Sequence, residues 1–368
     1  MSGRKLSIVI ALIFTMPMLA PTVAGEWKSD NWLANVIGPE RLTLGDEFGC
    51  QGYEGLSINE EPWTIAACRD YLIELTDASN WGAKPISFGL DGAKISPSTE
   101  SALIGAEFEI AGDANGITSG LRHFGINGGT LEKNLADKSS FESTEPHSLV
   151  SIAWIARIHD LKVREDQEFI SWLEQQEVWF TTWGEWHRHQ LAGSEINIST
   201  SGSTITANLS ESYSWAVPGT IKLQFEENIS SVSGQMYSEY PQIEAESRHL
   251  KIGWRQIDDG ILLTVAPGTS VTIELEAEAD VVLVTPWSTF NGLHHAVTIV
   301  GKHTTNLFHW SSDFQGSDLR FTWLVERPSS EGVGWMIPAM VITVLIAVPV
   351  SVRYLVEKDA NEQIISKV

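Results

Sequence analysis

The chain has 368 residues, of which 43% are hydrophobic; this content excludes a disordered chain and is enough for one or two buried cores. Its 47 acidic residues against 24 Lys and Arg give a formal net charge of −23, which excludes nucleic acid as a partner because like charges repel. The sequence contains no nucleotide-binding loop, catalytic-triad signature or long metal motif, so it does not define a specific activity.

The N-terminal segment is typical of a cleaved secretory signal. The pair Arg4-Lys5 precedes a short apolar stretch, Leu6–Phe14, and the small residues Thr22-Val23-Ala24 suit cleavage before Gly25. The apolar stretch is too short to cross roughly 30 Å of hydrocarbon, so a retained N-terminal anchor is the weaker alternative. We therefore predict a signal peptide over residues 1–24 and an exported mature chain.

The two cysteines, Cys50 and Cys68, lie in the exported region, where disulfides persist. A catalytic thiol is the alternative, but the sequence offers neither cysteine a neighbouring base. We predict a Cys50–Cys68 disulfide, which would stabilise the fold by roughly 3 kcal/mol by closing a loop in the unfolded chain.

Residues 25–193 are predicted to form an N-terminal domain of mixed α/β structure. Apolar residues at helical spacing between Asn59 and Gly82 place Cys68 on the inner face of a helix. The sequence Asp113-Ala114-Asn115-Gly116 is typical of a hairpin turn. The other predicted elements are strands at Ile86–Leu90 and Ala102–Gly112 and helices at His147–Leu161 and Arg164–Trp183.

After Gly193 the hydrophobic pattern changes from the period of a helix to the alternation of strands. Turns such as Pro218-Gly219 and Pro267-Gly268 separate short segments, which predicts an antiparallel β-sandwich domain over residues 194–327. The predicted fold class is therefore an α+β ectodomain, with a mixed α/β region followed by a β-sandwich. The alternating segments are Ile196/Ile198, Ile205/Ala207/Leu209, Ile221/Leu223/Phe225, Leu250/Ile252/Trp254, Val271/Ile273/Leu275 and Leu319/Phe321/Trp323/Val325, with a continuous apolar run at Val281–Val284.

Three N-glycosylation sequons begin at Asn197, Asn208 and Asn228, all within the predicted sandwich. Asn197 and Asn208 occupy polar positions of their strands, so that attached glycans would project into solvent. We predict a glycoprotein in any cell that has the transferase.

Residues 333–352 form a charge-free apolar stretch, about 30 Å long as a helix, with Trp335 and Tyr354 near its ends. We predict a transmembrane helix there, after a spacer over residues 328–332 and before a cytoplasmic tail over residues 353–368. A buried core helix is the alternative. The signal and the cations of the tail agree on a type I single-pass topology in the plasma membrane, with the ectodomain outside the cell.

Glu185, His187 and His189 form the most suggestive chemical pattern in the sequence. On a strand, side chains at alternate positions share one face roughly 6–7 Å apart, which suits two imidazoles and a carboxylate around a zinc-type ion. His294 or His295 could add one further ligand, but not both, because adjacent strand residues point to opposite faces. The alternative is that the segment continues the preceding helix and that its histidines are solvated or hydrogen-bonded.

Two acidic turns, Asp113-Ala114-Asn115-Gly116 and Asp258-Asp259-Gly260, could offer oxygen atoms to Ca²⁺. Each lacks the ligand count of a full calcium loop, so a plain turn is the better interpretation. No cofactor is certain from the sequence, and Ca²⁺ and Zn²⁺ both remain open.

Tryptophans form two sets with different interpretations. One set recurs at helical spacing, which favours a buried core over a sugar-binding platform. The other lies in or beside predicted strands and is the better candidate for an exposed carbohydrate platform. The first set is Trp172, Trp179, Trp183 and Trp186, and the second is Trp287, Trp310 and Trp323.

Two functions follow from these patterns. The first is a cell-surface protein whose acidic extracellular region binds or scaffolds an extracellular protein or a carbohydrate. The alternative is a membrane-tethered, metal-dependent hydrolase that uses Glu185, His187 and His189.

Overall fold

The computed structural model describes residues 41, 43–115, 120–136, 138–155, 163–212, 214–278, 282–303, 317–327 and 336–365. Trp27–Pro328 forms one compact unit, and a second unit contains the C-terminal helix. The predicted signal peptide and the predicted spacer lie outside the described residues.

An eight-stranded parallel sheet is the largest element of the first unit, and it curls into a half-barrel. Seven strands follow the order β4-β3-β2-β1-β16-β15-β5, and β6 also pairs with β15. The strands are β1 (Glu47–Tyr53), β2 (Ser87–Gly89), β3 (Ile110–Gly112), β4 (Arg122–Phe124), β5 (Leu149–Ile155), β6 (Val178–Phe180), β15 (His295–His303) and β16 (Phe321–Arg327).

Five helices of the described ranges accompany this sheet. They are α1 (Trp63–Leu75), α2 (Pro97–Gly105), α3 (Lys138–Glu142), α4 (Gln167–Leu173) and α5 (Trp183–Glu195), and the single turns Val163–Asp166 and Phe290–Gly292 are 3₁₀ helices. One face of the sheet forms an apolar core with α1, in which Cys50, Cys68 and Trp323 are buried. Parallel strands covered on both faces carry near-continuous apolar runs, as β5 and β15 do.

Helix α5 starts on the other face of the sheet, where small residues leave room for its first side chain. A Cβ atom at Gly112 would lie 2.1 Å from the Trp183 ring, so only glycine permits this approach. Trp183 Nε1 donates to Ser151 Oγ at 2.9 Å. The fully buried carboxylate of Glu47 accepts from Gly184 N at 2.7 Å, and burial raises the pKa of Glu47. These contacts fix the N-terminus of α5 against the sheet.

Two four-stranded antiparallel sheets follow α5, in the orders β10-β13-β8-β7 and β11-β12-β9-β14. Apolar side chains from both sheets, such as Ile205, Leu223, Leu263 and Ile273, belong to one core cluster. The strands are β7 (Asn197–Ser201), β8 (Thr204–Leu209), β9 (Gly219–Gln224), β10 (Ile229–Gly234), β11 (Gly253–Ile257), β12 (Gly260–Val265), β13 (Thr269–Leu275) and β14 (Leu283–Pro286).

The predicted fold class, an α+β region followed by a β-sandwich over residues 194–327 and a transmembrane helix, is wrong. The dominant element is the parallel sheet, and β15 and β16 are central strands of it rather than strands of a sandwich. Their alternating polar residues misled the prediction, because Thr298 and Thr322 are buried and hydrogen-bonded to each other at 3.2 Å instead of facing water. The predicted domain boundary near Gly193 stays a prediction.

Three local predictions in the N-terminal half are also wrong. The segment predicted as a helix at His147–Leu161 contains strand β5, whose β-branched and aromatic residues suit a strand buried on both faces. Helix Arg164–Trp183 is interrupted by β6. Strands β3 and β4 pair in parallel, so Asp113–Gly116 does not close a hairpin.

The C-terminal helix α6 (Met336–Ile365) is 30 residues long, contains Pro349, and exposes apolar side chains such as Leu345 and Ile346. Within the described ranges, no helix is both long and apolar enough to cross a membrane. The prediction of a transmembrane helix at 333–352 is therefore wrong, and with it the single-pass topology and the plasma-membrane location.

Candidate functional site

The motif Glu185, His187 and His189 lies on helix α5 and not on a strand. Thr182 caps the helix, since its hydroxyl accepts from Glu185 N at 3.2 Å. Successive helical residues turn by about 100°, so His187 projects away from the face that Glu185 and His189 share. The structure therefore separates the three predicted ligands.

Glu185 is a buried carboxylate with two donors. Trp81 Nε1 donates to Oε2 at 2.5 Å, and Thr181 Oγ1 donates to Oε1 at 2.8 Å. Burial raises the pKa of Glu185 to about 7, against the opposing effects of these hydrogen bonds and of the Arg320 charge. Through these hydrogen bonds, Glu185 links α5 to the loop that contains Trp81.

The two histidines have separate surroundings. His189 is fully buried, and its Nδ1 lies 2.7 Å from Pro218 O. Burial lowers the pKa of His189 to about 4. His187 Nε2 lies 3.5 Å from Glu109 Oε2, and Arg188 pairs with the same carboxylate. Among the described residues, no group of three His, Cys, Asp or Glu could hold a metal ion.

The remaining predicted site residues have the following positions. Cys50 and Cys68 form the disulfide, joining β1 to α1. The sequon asparagines Asn197, Asn208 and Asn228 are exposed, and their glycosylation stays a prediction. Asn197 and Asn208 are direct neighbours on β7 and β8, so two glycans there would be crowded.

The tryptophans and acidic turns offer little binding surface. Trp179, Trp183 and Trp186 are buried, which confirms the core interpretation for these three, and Trp323 is buried as well. Trp310 lies outside the described residues. Asp259 in the second acidic turn already accepts hydrogen bonds from Lys222 Nζ at 2.7 Å and from Gln224 Nε2 at 2.5 Å.

A cleft of about 710 Å³ lies between α5, the approach to β3 and the antiparallel strands. Its central charges are already neutralised, because Lys84 Nζ lies 2.5 Å from Glu107 and Arg188 pairs with Glu109. Trp215 in its wall is 2% exposed, which leaves no open aromatic face. Glu195 and Glu211 also line the cleft, so it keeps acidic groups at its wall but has no open aromatic face.

A second candidate for a ligand-binding site lies at the carboxyl ends of β1, β2, β15 and β16. Strands β2, β3 and β4 are added on one side of β1, whereas β16 lies on its other side. Ligands of open parallel sheets bind outside the carboxyl ends of strands where the strand order reverses in this way. The junction of β1 and β16 is such a point.

Five polar residues, which we name the carboxyl-edge cluster, lie at this junction: Gln51, Glu54, Asp91, Lys302 and Glu326. Lys302 is 8% exposed, yet its Nζ pairs with Asp91, a residue on the loop after β2. Asp91 adopts a left-handed conformation with φ of 49°, which is uncommon outside glycine and is found at functional loops. The described residues thus hold a nearly buried ammonium group at the edge of the sheet.

Glu326 and Gln51 contribute side-chain oxygen atoms to the same cluster. Burial, followed by the charge of Glu54, raises the pKa of Glu326 to about 7 although Lys302 opposes the shift. Gln51 lies at a β-bulge opposite Glu326, and its Oε1 is buried without a hydrogen-bond partner among the described residues. Bulges are frequent next to active sites because they redirect a side chain.

Sequence reasoning missed this cluster. A signal was present, because β1 and β2 are each followed by an acidic residue and a glycine, at Glu54-Gly55 and Asp91-Gly92. The signal could not be read without knowing that the strands are parallel and adjacent, which brings their carboxyl ends to one edge.

Comparisons with models of protein families, with curated proteins and with solved structures found no match.

Proposed function

We propose that the protein binds a small ligand that carries a protonated amine or guanidinium group, and that it does so at the carboxyl-edge cluster. The observation that carries this proposal is the imbalance of hydrogen-bonding groups. Lys302 pairs with Asp91, Gln51 Oε1 is buried without a partner among the described residues, and Glu54 and Glu326 add two further carboxyl groups to the cluster. A cluster in which three carboxyl groups surround one cation is complementary to a ligand that donates hydrogen bonds and bears positive charge.

The charge of the whole chain favours the same ligand class. A net charge of −23 raises the local concentration of cations around the molecule. Glu54 and Glu326 add two acidic groups beyond Asp91, which pairs with Lys302. An amine ligand differs from the protein or carbohydrate ligand expected from the sequence, and the disulfide supports work in an oxidising compartment.

The metal-dependent hydrolase is not favoured by any described arrangement. The three residues of this motif lie on α5 but contact different groups, and Glu185 and His189 are buried. The remaining alternative to an amine ligand is a carbohydrate or a protein ligand. The experiment below has to distinguish these ligand classes.

Calorimetric titration of the full chain with agmatine, which carries both a guanidinium and an ammonium group, tests the proposal. A carboxyl group with a pKa of about 7 is mostly ionised at pH 8 and mostly neutral at pH 6. We therefore expect agmatine to bind about tenfold more tightly at pH 8 than at pH 6.

Glu326→Gln should weaken binding at pH 8 by about tenfold and remove its pH dependence, since charge is lost and shape is kept. Gln51→Leu should weaken binding at both pH values. Glu239→Gln, at an exposed acid away from the cluster, changes the net charge equally and should have no effect. Failure of agmatine to bind, or equal binding by the wild type and Glu326→Gln, would contradict the proposal; pH-independent binding of glucose instead would favour a carbohydrate ligand.

A further inference from the structure

A pocket of about 420 Å³ lies at the amino-terminal edge of β6 and β15, the edge opposite the carboxyl-edge cluster. Aromatic and imidazole rings and carboxylates line it together. Its walls include Phe141, Glu142, Trp172, Glu177, His294 and His295.

His295 lines this pocket and carries an unpaired acceptor. The residue is 1% exposed, and its Nδ1 is buried without a partner among the described residues. The backbone carbonyl of Glu145 accepts a hydrogen bond from the ring, which leaves Nε2 as the protonated nitrogen. Burial, followed by the neighbouring His294 and His147, lowers the pKa of His295 to about 4. At neutral pH its Nδ1 is therefore a lone-pair acceptor that lacks a donor.

The aromatic walls suit a cation. Phe141 packs edge-on against Trp172 at 5.4 Å between ring centroids and against His295 at 5.0 Å. Lys138 Nζ lies 5.4 Å from the centroid of the Trp172 ring, so one face of that ring already attracts an ammonium group of the protein itself. The carboxylates of Glu142 and Glu177 add negative charge to the walls.

We infer that this pocket binds a primary ammonium group, which donates a hydrogen bond to His295 Nδ1 while its charge lies against the Trp172 ring. A metal ion fits less well, because the described residues contain no group of three ligating side chains in suitable positions. A quaternary ammonium group would satisfy the aromatic walls but has no N–H for His295. The site is independent of the carboxyl-edge cluster, since Lys302 and His295 lie near opposite ends of β15.

Titration of the full chain with methylammonium, followed by NMR of the imidazole protons, tests the inference. We expect methylammonium to shift the His295 signals in a saturable manner and to bind at least threefold more tightly than tetramethylammonium, because only the former can donate to Nδ1. Equal binding of the two ions would overturn the role of His295, and no saturable shift would overturn the site.

Two substitutions with matched controls separate the site from general charge effects. Lys138→Gln removes a competing cation from an exposed position, so methylammonium should bind about threefold more tightly. Lys94→Gln changes the net charge equally and should have no effect. Trp172→Leu should weaken binding about tenfold, whereas Trp63→Leu, at an exposed tryptophan outside the pocket, should not. Unchanged affinity in Lys138→Gln, or equal losses in Trp172→Leu and Trp63→Leu, would contradict the inference.

Discussion

Replacing Cys50 and Cys68 together by alanine is expected to lower the free energy of unfolding of the full chain by about 3 kcal/mol or more. The disulfide closes a loop between residues 18 apart, and chain entropy alone assigns about 3 kcal/mol to a loop of this size. Both cysteines are 0% exposed within the core beside α1, so the smaller alanine side chains add a packing loss. Urea unfolding at fixed pH measures the difference.

The wild type provides the control for this experiment. Unfolding the wild type in dithiothreitol should reproduce most of the loss, because the reduced unfolded chain regains its freedom. The double alanine variant should not respond to dithiothreitol. A variant as stable as the oxidised wild type would show that the disulfide contributes nothing to the fold.

Glu185 is expected to make the stability of the protein fall as pH rises from about 4.5 to about 7. Its pKa is near 4.5 in the unfolded chain and about 7 in the folded one, so within this window the folded state keeps a proton that the unfolded state has released. The free energy of unfolding should decrease across the window by about 3 kcal/mol on account of this one group, and remain at the lower level above pH 7.

Glu185→Gln isolates this contribution, since other buried acids such as Asp46 and Glu47 also have raised pKa values. The stability of the variant minus that of the wild type should rise by about 3 kcal/mol between pH 4.5 and pH 7.5. Glu195→Gln, at the exposed C-terminal end of the same helix, should leave the difference nearly constant. A constant difference for Glu185→Gln would mean that Glu185 is ionised in the folded protein throughout this range.

Local chemistry allowed part of the fold to be predicted. Apolar spacing around Cys68 identified α1, and export chemistry identified its bond to Cys50. Strands such as β8 and β13 were recognisable because each has one face in an apolar core and one face that is less buried.

The parallel sheet was not predictable in the same way. Strands buried on both faces lack a clear period, so β5 was mistaken for a helix. In β16 the opposite error occurred, because Thr322 and Glu326 alternate with Phe321 and Val325 as solvent-facing residues would. Thr322 instead accepts from Trp183 N at 2.9 Å, a partner distant in sequence that no local pattern indicates.

The α5 motif illustrates how one local signal was overlooked. Thr182 followed three residues later by Glu185 is the pattern of a helix N-terminus, and it was present in the sequence. A strand would place Glu185, His187 and His189 on one face. The helix instead turns His187 away from the face that the other two share. The carboxyl-edge cluster could not be predicted from the sequence, because only the order of the strands brings Gln51 of β1 and Lys302 of β15 to the same edge of the sheet.

The most direct test of the central claim is a crystal structure of the protein grown with agmatine at pH 8. The account predicts electron density for the ligand at the carboxyl ends of β1 and β16, within hydrogen-bonding distance of Glu326 and Gln51 Oε1. Density confined to the cleft beside α5, with an empty carboxyl-edge cluster, would contradict it.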